Sequence, residues 1–420
     1  MDGKMKNVLM LCDAFPPAFN PRMGYLCKYL AKYGWKPVII AEYAPQNIYS
    51  NLSDNQDVTY INYYCSENRI WQQIKYVFVF LADFLFNYKE FVIYRKAKKI
   101  IKTKNIAIIL ASSFRTFPML STQRLSRKYQ IPLMVDLRDI FEQSSNNELV
   151  SKRLSKSDFI NNLIAKSIRK KLLYQRNKIL KNADAVTTIS EWHAETLSKY
   201  NQNVNLIYNG FDAELFFPQP IENELFTITF TGRLHSMELR NPSLLFETAA
   251  HLAKEKKIDT AKFRLQFYLM DKKSKLIVKT FAETHKIAHL VDIFDTVPST
   301  EIPKILNSSS ILLLLANNST GEKSPKGIMG TKLFEYLAVE KPILCVRSDE
   351  DCLEKTINSA NAGLAASSME EVEKFILEKF ADWQQNGHTH QSVNQSFTAQ
   401  FSREYQAKQF ADLFNQIMCQ

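Results

Sequence analysis

The stretch Lys326-Gly-Ile-Met-Gly-Thr-Lys-Leu-Phe-Glu-Tyr-Leu-Ala-Val-Glu-Lys-Pro-Ile-Leu-Cys-Val346 decides the fold. Gly327 and Gly330 flank Ile328 and Met329. Thr331 to Val339 reads as a short helix, and Pro342 to Val346 as a buried strand. Glycines ahead of a helix let the backbone approach a ligand closely. The first amides of such a helix lack intrahelical partners, and the macrodipole points its positive end there. Together these make a phosphate site. Lys332 adds a cation in the first turn. Glu335, one turn from Thr331 and Lys332, shares their face. A carboxylate there can accept two hydrogen bonds from a ribose diol. The alternative is a buried helix carrying Lys332 and Glu335 as a surface ion pair, and this stretch alone leaves both open.

Outward from this loop the chain alternates strands and helices. In the second half, strands are expected at Phe226–Thr231, Leu265–Leu269, Val291–Asp295, Ile311–Ala316, Pro342–Val346 and Gly363–Ala366, with helices between them. The periods and lengths predict a parallel α/β sheet. Its first strand runs into Gly232-Arg-Leu-His235, and Arg240-Asn-Pro242 opens the next helix. Arg233 and Arg240 thus fall at a strand's carboxyl end and a helix start. Guanidinium geometry suits a diphosphate; the bland alternative is a pair of surface arginines.

The first half shows the same alternation. Asn7–Asp13, Lys36–Ala41, Thr59–Cys65, Ile106–Ser113, Pro132–Asp139, Ala185–Ser190 and Asn205–Tyr208 read as strands. Ala14–Gly24 reads as a Pro-rich loop, followed by a helix over Tyr25–Tyr33. Ligands in such sheets bind at the carboxyl ends of strands. The loop lacks GxGxxG, which argues against a nicotinamide cofactor. Asp136-Leu-Arg-Asp139 ends a strand with three charges, costly unless paired or used. They read as a polar wall of a binding cleft, or as an internal pair of Arg138 with a carboxylate. Ile70–Lys104 reads as mainly helical. Its aromatic run Ile74–Tyr88, followed by lysines, fits either a membrane interface or a core-facing helix with a solvated basic tail, and the second is favoured. Lys152–Lys181 carries ten Lys or Arg residues, a solvated helix face that also suits an anionic partner. Phe401–Met418 reads as a terminal helix with apolar positions at Ala407, Phe410, Ala411, Phe414, Ile417 and Met418.

A chain of 420 residues favours two or three domains. The boundary falls between Tyr208 and Phe226, where Asn209-Gly-Phe-Asp212, Pro218 and Pro220 interrupt the alternation; the domains are expected at 1–208 and 209–400. A net charge of +11 points to an anionic partner. Nucleic acid would explain the charge but not the phosphate loop, so none is expected. The six cysteines are scattered without metal-ligand spacing, which reads as reduced thiols in a cytosolic protein with no metal site. The sequence opens without a secretory pattern, and no apolar run is long enough to span a bilayer.

These pieces carry a resemblance. Phe15-Pro-Pro17, Gly34-Trp35-Lys-Pro37, Asp136-Leu-Arg-Asp139, Asn209-Gly-Phe-Asp212, Gly232-Arg233, Arg240-Asn-Pro242 and Lys332-Leu-Phe-Glu-Tyr-Leu-Ala338, in this order and spacing, resemble glycosyltransferase family 4. The similarity is strongest to the bacterial branch that builds capsule and O-antigen. The resemblance implies the GT-B architecture: two Rossmann-like domains facing a cleft, with the terminal helix 401–418 crossing back to the N-terminal one. It implies that Arg233 and Arg240 neutralise a donor diphosphate, while Gly330 and Thr331 donate amides to it and Lys332 assists. Glu335 matches the second glutamate of the family's two-glutamate motif and would bind ribose. The first falls at Gly327, a departure, so backbone from Gly327 through Ile328 to Met329 would serve instead. Asp136, Arg138 and Asp139 would shape the acceptor side, as would Asn20 and Arg22 on the first loop.

The implied activity is retaining, metal-independent transfer of a hexose or N-acetylhexosamine from a nucleoside-diphosphate sugar, with UDP the favoured base. The implied acceptor is a polyprenyl-diphosphate-linked saccharide. The implied location is cytoplasmic, peripheral on the inner face of the bacterial inner membrane, against an anionic surface. Two alternatives stand beside it: a non-hydrolysing GT-B sugar-nucleotide epimerase, and a non-catalytic module that binds nucleotide sugar or polysaccharide.

Overall fold

The structure is a computed structural model that describes residues 5–44, 49–64, 68–114, 116–143, 157–234, 240–316 and 327–419. The chain divides into two compact units: Met1–Tyr208 with Arg403–Gln420, and Asn209–Ser402. Unit 1 contains β1 (Lys6–Cys12), β2 (Trp35–Glu42), β3 (Val58–Ile61), β4 (Ile106–Ser113), β5 (Leu133–Leu137), β6 (Ala185–Thr188) and β7 (Val204–Leu206). Its helices are α1 (Pro21–Leu30), α2 (Arg69–Phe86), α3 (Tyr88–Thr103), α4 (Met119–Tyr129), α5 (Asp158–Leu180) and α6 (Glu191–Ser198). Unit 2 contains β8 (Phe226–Gly232), β9 (Phe263–Leu269), β10 (Val291–Phe294), β11 (Ile311–Leu315), β12 (Ile343–Val346) and β13 (Gly363–Ala366). Its helices are α7 (Ser243–Lys254), α8 (Lys272–Thr284), α9 (Ile302–Ser308), α10 (Thr331–Val339), α11 (Cys352–Ser359), α12 (Met369–Asn386) and α13 (Gln395–Thr398). The last helix, α14 (Arg403–Met418), returns to unit 1.

Both sheets are parallel. Their orders are β3-β2-β1-β4-β5-β6-β7 and β10-β9-β8-β11-β12-β13. Each is the doubly wound order that starts in the middle, runs to one edge, then restarts beside the first strand. The central strands are apolar along their length, as burial on both faces requires: Val8 to Cys12 and Ile311 to Leu315 are all buried. Every expected strand is found, and the α/β reading stands.

Three expectations need correction. The loop expected over Ala14–Gly24 ends at Asn20, because Asn20 caps α1. Its side chain accepts from the Met23 amide, with Pro21 in the first helical position. The helical region Ile70–Lys104 is two helices, divided at Asn87 in the left-handed conformation. Of these, α3 and not the aromatic α2 is the one on the sheet. Ile93 and Ala97 of α3 are fully buried, whereas in α2 only Val79 is buried among the described side chains. The core-facing reading of the aromatic run fails because α3 already fills that layer. Finally, the basic stretch is not wholly solvated. Arg176 of α5 is buried and forms a bidentate pair with Glu142 at 2.7 and 2.8 Å. Lys152, Arg153 and Lys156 lie outside the described residues.

Helix α14 buries Ala407, Phe410, Ala411, Phe414 and Ile417 in unit 1, with Phe414 edge-on to Trp35 at 5.0 Å. Met418, expected on the same stripe, is exposed.

Candidate functional site

In unit 2 the strand order reverses between β8 and β11. Connections there leave toward opposite sides, which opens a crevice at the strands' carboxyl ends. Strand β8 delivers Gly232 and Arg233 to this point. The segment after β11 delivers Gly327 through Gly330, the loop that starts α10. Gly327 has φ +66°, a conformation that favours glycine. Gly330 caps α10 with no side-chain hydrogen bond, and of the first-turn amides Leu333 donates to the Gly330 carbonyl at 3.2 Å, so Thr331 and Lys332 are the amides with no capping side chain. Ile328 is partly exposed and Met329 is buried.

Lys332 lies across Gly232. A β-carbon built on Gly232 would stand 2.5 Å from the Lys332 Nζ. Burial lowers the pKa of Lys332; nearby Glu335 raises it and Arg240 lowers it again. The lysine, Glu335 and Arg240 therefore share one electrostatic environment, as the spacing predicts for the first two. Arg240 Nη1 donates to the Arg233 carbonyl at 2.7 Å. Its Nε is buried without a hydrogen-bond partner, and burial lowers its pKa. Arg233 itself is exposed. Lys332 and Glu335 remain electrostatically paired, and the lysine is also desolvated and lies against a glycine at a strand end. The cluster offers two cations, Lys332 and Arg240, with the exposed Arg233 at the adjoining strand end, amides at the start of α10 and one carboxylate, a set that suits a diphosphate joined to a diol.

Unit 1 separates its expected site residues into two groups. Asp136 is fully buried; Arg22 reaches it at 2.9 Å and Thr187 Oγ1 donates to the same oxygen at 2.9 Å. Arg22 also donates to the Tyr208 carbonyl and lies 5.3 Å from the centre of the Phe410 ring. Asn20, fully buried, donates to the Ala14 carbonyl. Arg22 and Asp136 thus form an internal joint among α1, β5, β6 and α14, with Asn20 at the start of α1, and the acceptor-side role of these three stays an expectation of the resemblance. Their polar groups are used within the domain.

The second group lies at the β1/β4 switch point and is partly open. Arg138 pairs with Asp13 at 3.1 Å, and Asp13 also accepts from the Phe114 amide. Burial pushes up the pKa values of Asp13 and Asp139, with Arg138 opposing in both cases. Asp13 was missed by sequence reading. Its signal was available: a charged residue directly after the first strand, at the carboxyl end.

The comparisons with known proteins bear on the fold and on unit 1. No curated protein matches the sequence. Among solved structures, Anabaena Alr3699/HepE in complex with UDP aligns with a TM-score of 0.61 at 13% identity, over 98% of this chain and 100% of that one. Sucrose-phosphate synthase from Thermosynechococcus elongatus aligns with a TM-score of 0.59 at 13% identity, over 99% of both chains. WaaG, a glycosyltransferase involved in lipopolysaccharide biosynthesis, gives 0.54 at 12% identity, over 97% of this chain and 99% of that one. At such identities the likeness is one of fold, and the fold is GT-B. Residues 22–215, nearly all in unit 1, match the model of Glycosyltransferase Family 4.

Proposed function

We propose that the protein is a retaining glycosyltransferase that takes a hexose or N-acetylhexosamine from a nucleoside-diphosphate sugar, with UDP the favoured base. The observation that carries the reading is the cluster at the β8/β11 switch point: Arg240 and Lys332 at the start of α10, with Arg233 at the end of β8 and Glu335 one turn in. The match of unit 1 to the glycosyltransferase model and the UDP-bound structural neighbour support it.

In this reading the three cations and the α10 amides hold the diphosphate, and Glu335 holds the ribose diol. Gly327 stands where a family member carries the first glutamate of the two-glutamate motif, so main chain of Gly327 to Met329 faces the sugar. Transfer breaks the bond between the sugar's anomeric carbon and the diphosphate oxygen. The acceptor oxygen bonds to that carbon from the same face, and its proton passes to a departing phosphate oxygen. Negative charge grows on the diphosphate as it leaves, so preorganised cations lower the barrier without a bound metal. Arg138, Asp13 and Asp139 supply the charged groups of the acceptor side. The acceptor is a polyprenyl-diphosphate-linked saccharide in capsule or O-antigen synthesis, which puts the enzyme at the cytoplasmic face of the inner membrane.

A panel of UDP-, GDP- and TDP-sugars tests the donor site by thermal shift. One donor should raise the melting temperature, and it should transfer its sugar only when a lipid-linked acceptor is added. Turnover of donor without acceptor would point to an epimerase; binding without turnover across acceptors would point to a binding module. No stabilisation by any donor would overturn the reading.

A further inference from the structure

Helix α2 is inside out. Ile70, Ile74, Val77, Phe78, Leu81 and Leu85 recur at helical spacing and fall within about a 100° stripe, the pattern that normally faces a core. All six are exposed, Phe78 at 64%. Val79, on the opposite side, is the buried residue. Trp71 and Phe86 widen the exposed apolar surface, at 60% and 78%. A monomer in water rarely leaves so much contiguous apolar surface uncovered.

The helix is not a membrane span. No described helix is long and apolar enough to cross a membrane, and Lys75 and Asp83 interrupt this one. Its surroundings are cationic. Arg95, Lys96, Lys99 and Lys102 on α3 are exposed. Helix α5 meets the end of α2, where Lys171 Nζ donates to the Phe84 carbonyl at 2.6 Å and lies over the Phe84 ring. One face of α5 repeats the composition: Phe159 and Leu163, then Lys166 and Lys170, all exposed.

We infer that α2, with the first turns of α5, docks unit 1 onto an anionic lipid bilayer, the apolar stripe lying in the interface and the lysines meeting headgroup phosphates. Apolar residues on one face with lysines beside them are the composition of an interfacial helix. Charge complementarity selects this occupant over a second copy of the chain, which would set the same lysines against each other. The inference deepens the membrane-facing part of the proposed function but uses no residue of the nucleotide site. Its test needs no donor, so its failure and the failure of the transfer reading are distinct.

The experiment is flotation of the full chain with vesicles of phosphatidylcholine, with and without phosphatidylglycerol. Binding should rise at least tenfold with the anionic lipid and fall with salt. Tryptophan emission should shift to the blue, and Trp192→Phe beside the parent assigns the shift to Trp71, since Trp35 and Trp383 are already buried and Trp192 is half-buried. The variant Ile74→Ser/Phe78→Ser/Leu81→Ser should lose at least tenfold in partitioning with its melting temperature kept. Should that variant misfold, quenching of Trp71 by lipids brominated along the acyl chain gives the same answer on the unaltered protein. Equal binding to both vesicle types, unquenched Trp71, or unimpaired flotation of a folded serine variant would each overturn the inference. So would a solution dimer that the serine variant dissociates, with no vesicle binding, which would assign the stripe to a second copy.

Discussion

Gly232 ties a backbone requirement to a charge. Its φ of +129° is one that residues with a β-carbon rarely adopt, and the amine of Lys332 occupies the space a side chain would take. Gly232→Ala should therefore cost about 1–3 kcal/mol of stability and, by displacing the lysine, weaken donor binding as well. Lys332→Met separates the two effects. It removes a desolvated cation and keeps most of the packing, so stability should hold or rise while donor affinity falls. Glu335→Ala should weaken nucleotide binding by about 1–3 kcal/mol, as loss of charge-assisted hydrogen bonds does. Calorimetric titration with the donor, beside urea midpoints, reads all three variants. Unchanged affinity in the Lys332 and Glu335 variants would remove the nucleotide from α10. Lys332 and Glu335 were legible as candidates because one short stretch carries them. The joint of Arg22 and Asp136 was not. Its partners are far apart in sequence, and a charged triplet at a strand end looks the same whether its pairs turn inward or line a wall.

At the scale of elements, two buried groups in unit 1 titrate in opposite senses. Glu90 on α3 accepts the amides of Leu120 and Ser121 at the start of α4, and burial raises its pKa to about 7. His193 on α6 is fully buried with neither ring nitrogen hydrogen-bonded, and burial lowers its pKa to about 4. Between about pH 4.5 and 7 the folded chain holds a proton on Glu90 that the unfolded chain releases, so this group's contribution declines as pH rises. Between about pH 6.5 and 4 the unfolded chain takes up a proton on His193 that the folded chain refuses, so that contribution declines as pH falls. Each is on the order of 3 kcal/mol, and over the shared window they oppose. Relative to the parent, Glu90→Gln should therefore gain stability as pH rises from 4.5 to 7. His193→Phe should gain as pH falls from 6.5 to 4. Urea midpoints across pH 4 to 7.5 test this, and curves that run parallel to the parent would refute it. Element types could be read from period and length, since buried parallel strands are apolar runs and their connections are helical. The layer of α2 could not. An apolar stripe states that a helix seeks cover without stating which surface covers it, and α3 had taken the place on the sheet.

The whole chain is two sheets of the same winding order, and its last helix belongs to the first of them. The apolar spacing of α14 was visible in sequence, whereas its packing against Trp35, on a strand near the other end of the chain, is a tertiary fact. That packing makes the stability of unit 1 depend on residues translated after all of unit 2. Phe414 is fully buried, edge-on to Trp35 and beside Phe410, whose ring lies close to the Arg22 guanidinium. Phe414→Ala should leave a cavity between α14 and α1 that costs about 3–5 kcal/mol. The proposed nucleotide cluster lies wholly in unit 2, so donor affinity should be unchanged wherever the variant is folded. Denaturation midpoints measure the first effect. Calorimetric titration at low temperature, with folding checked by circular dichroism, measures the second. Loss of donor affinity in step with loss of stability would show that the cluster depends on unit 1 for its shape. Retained affinity would show that unit 2 builds its phosphate site from its own switch point.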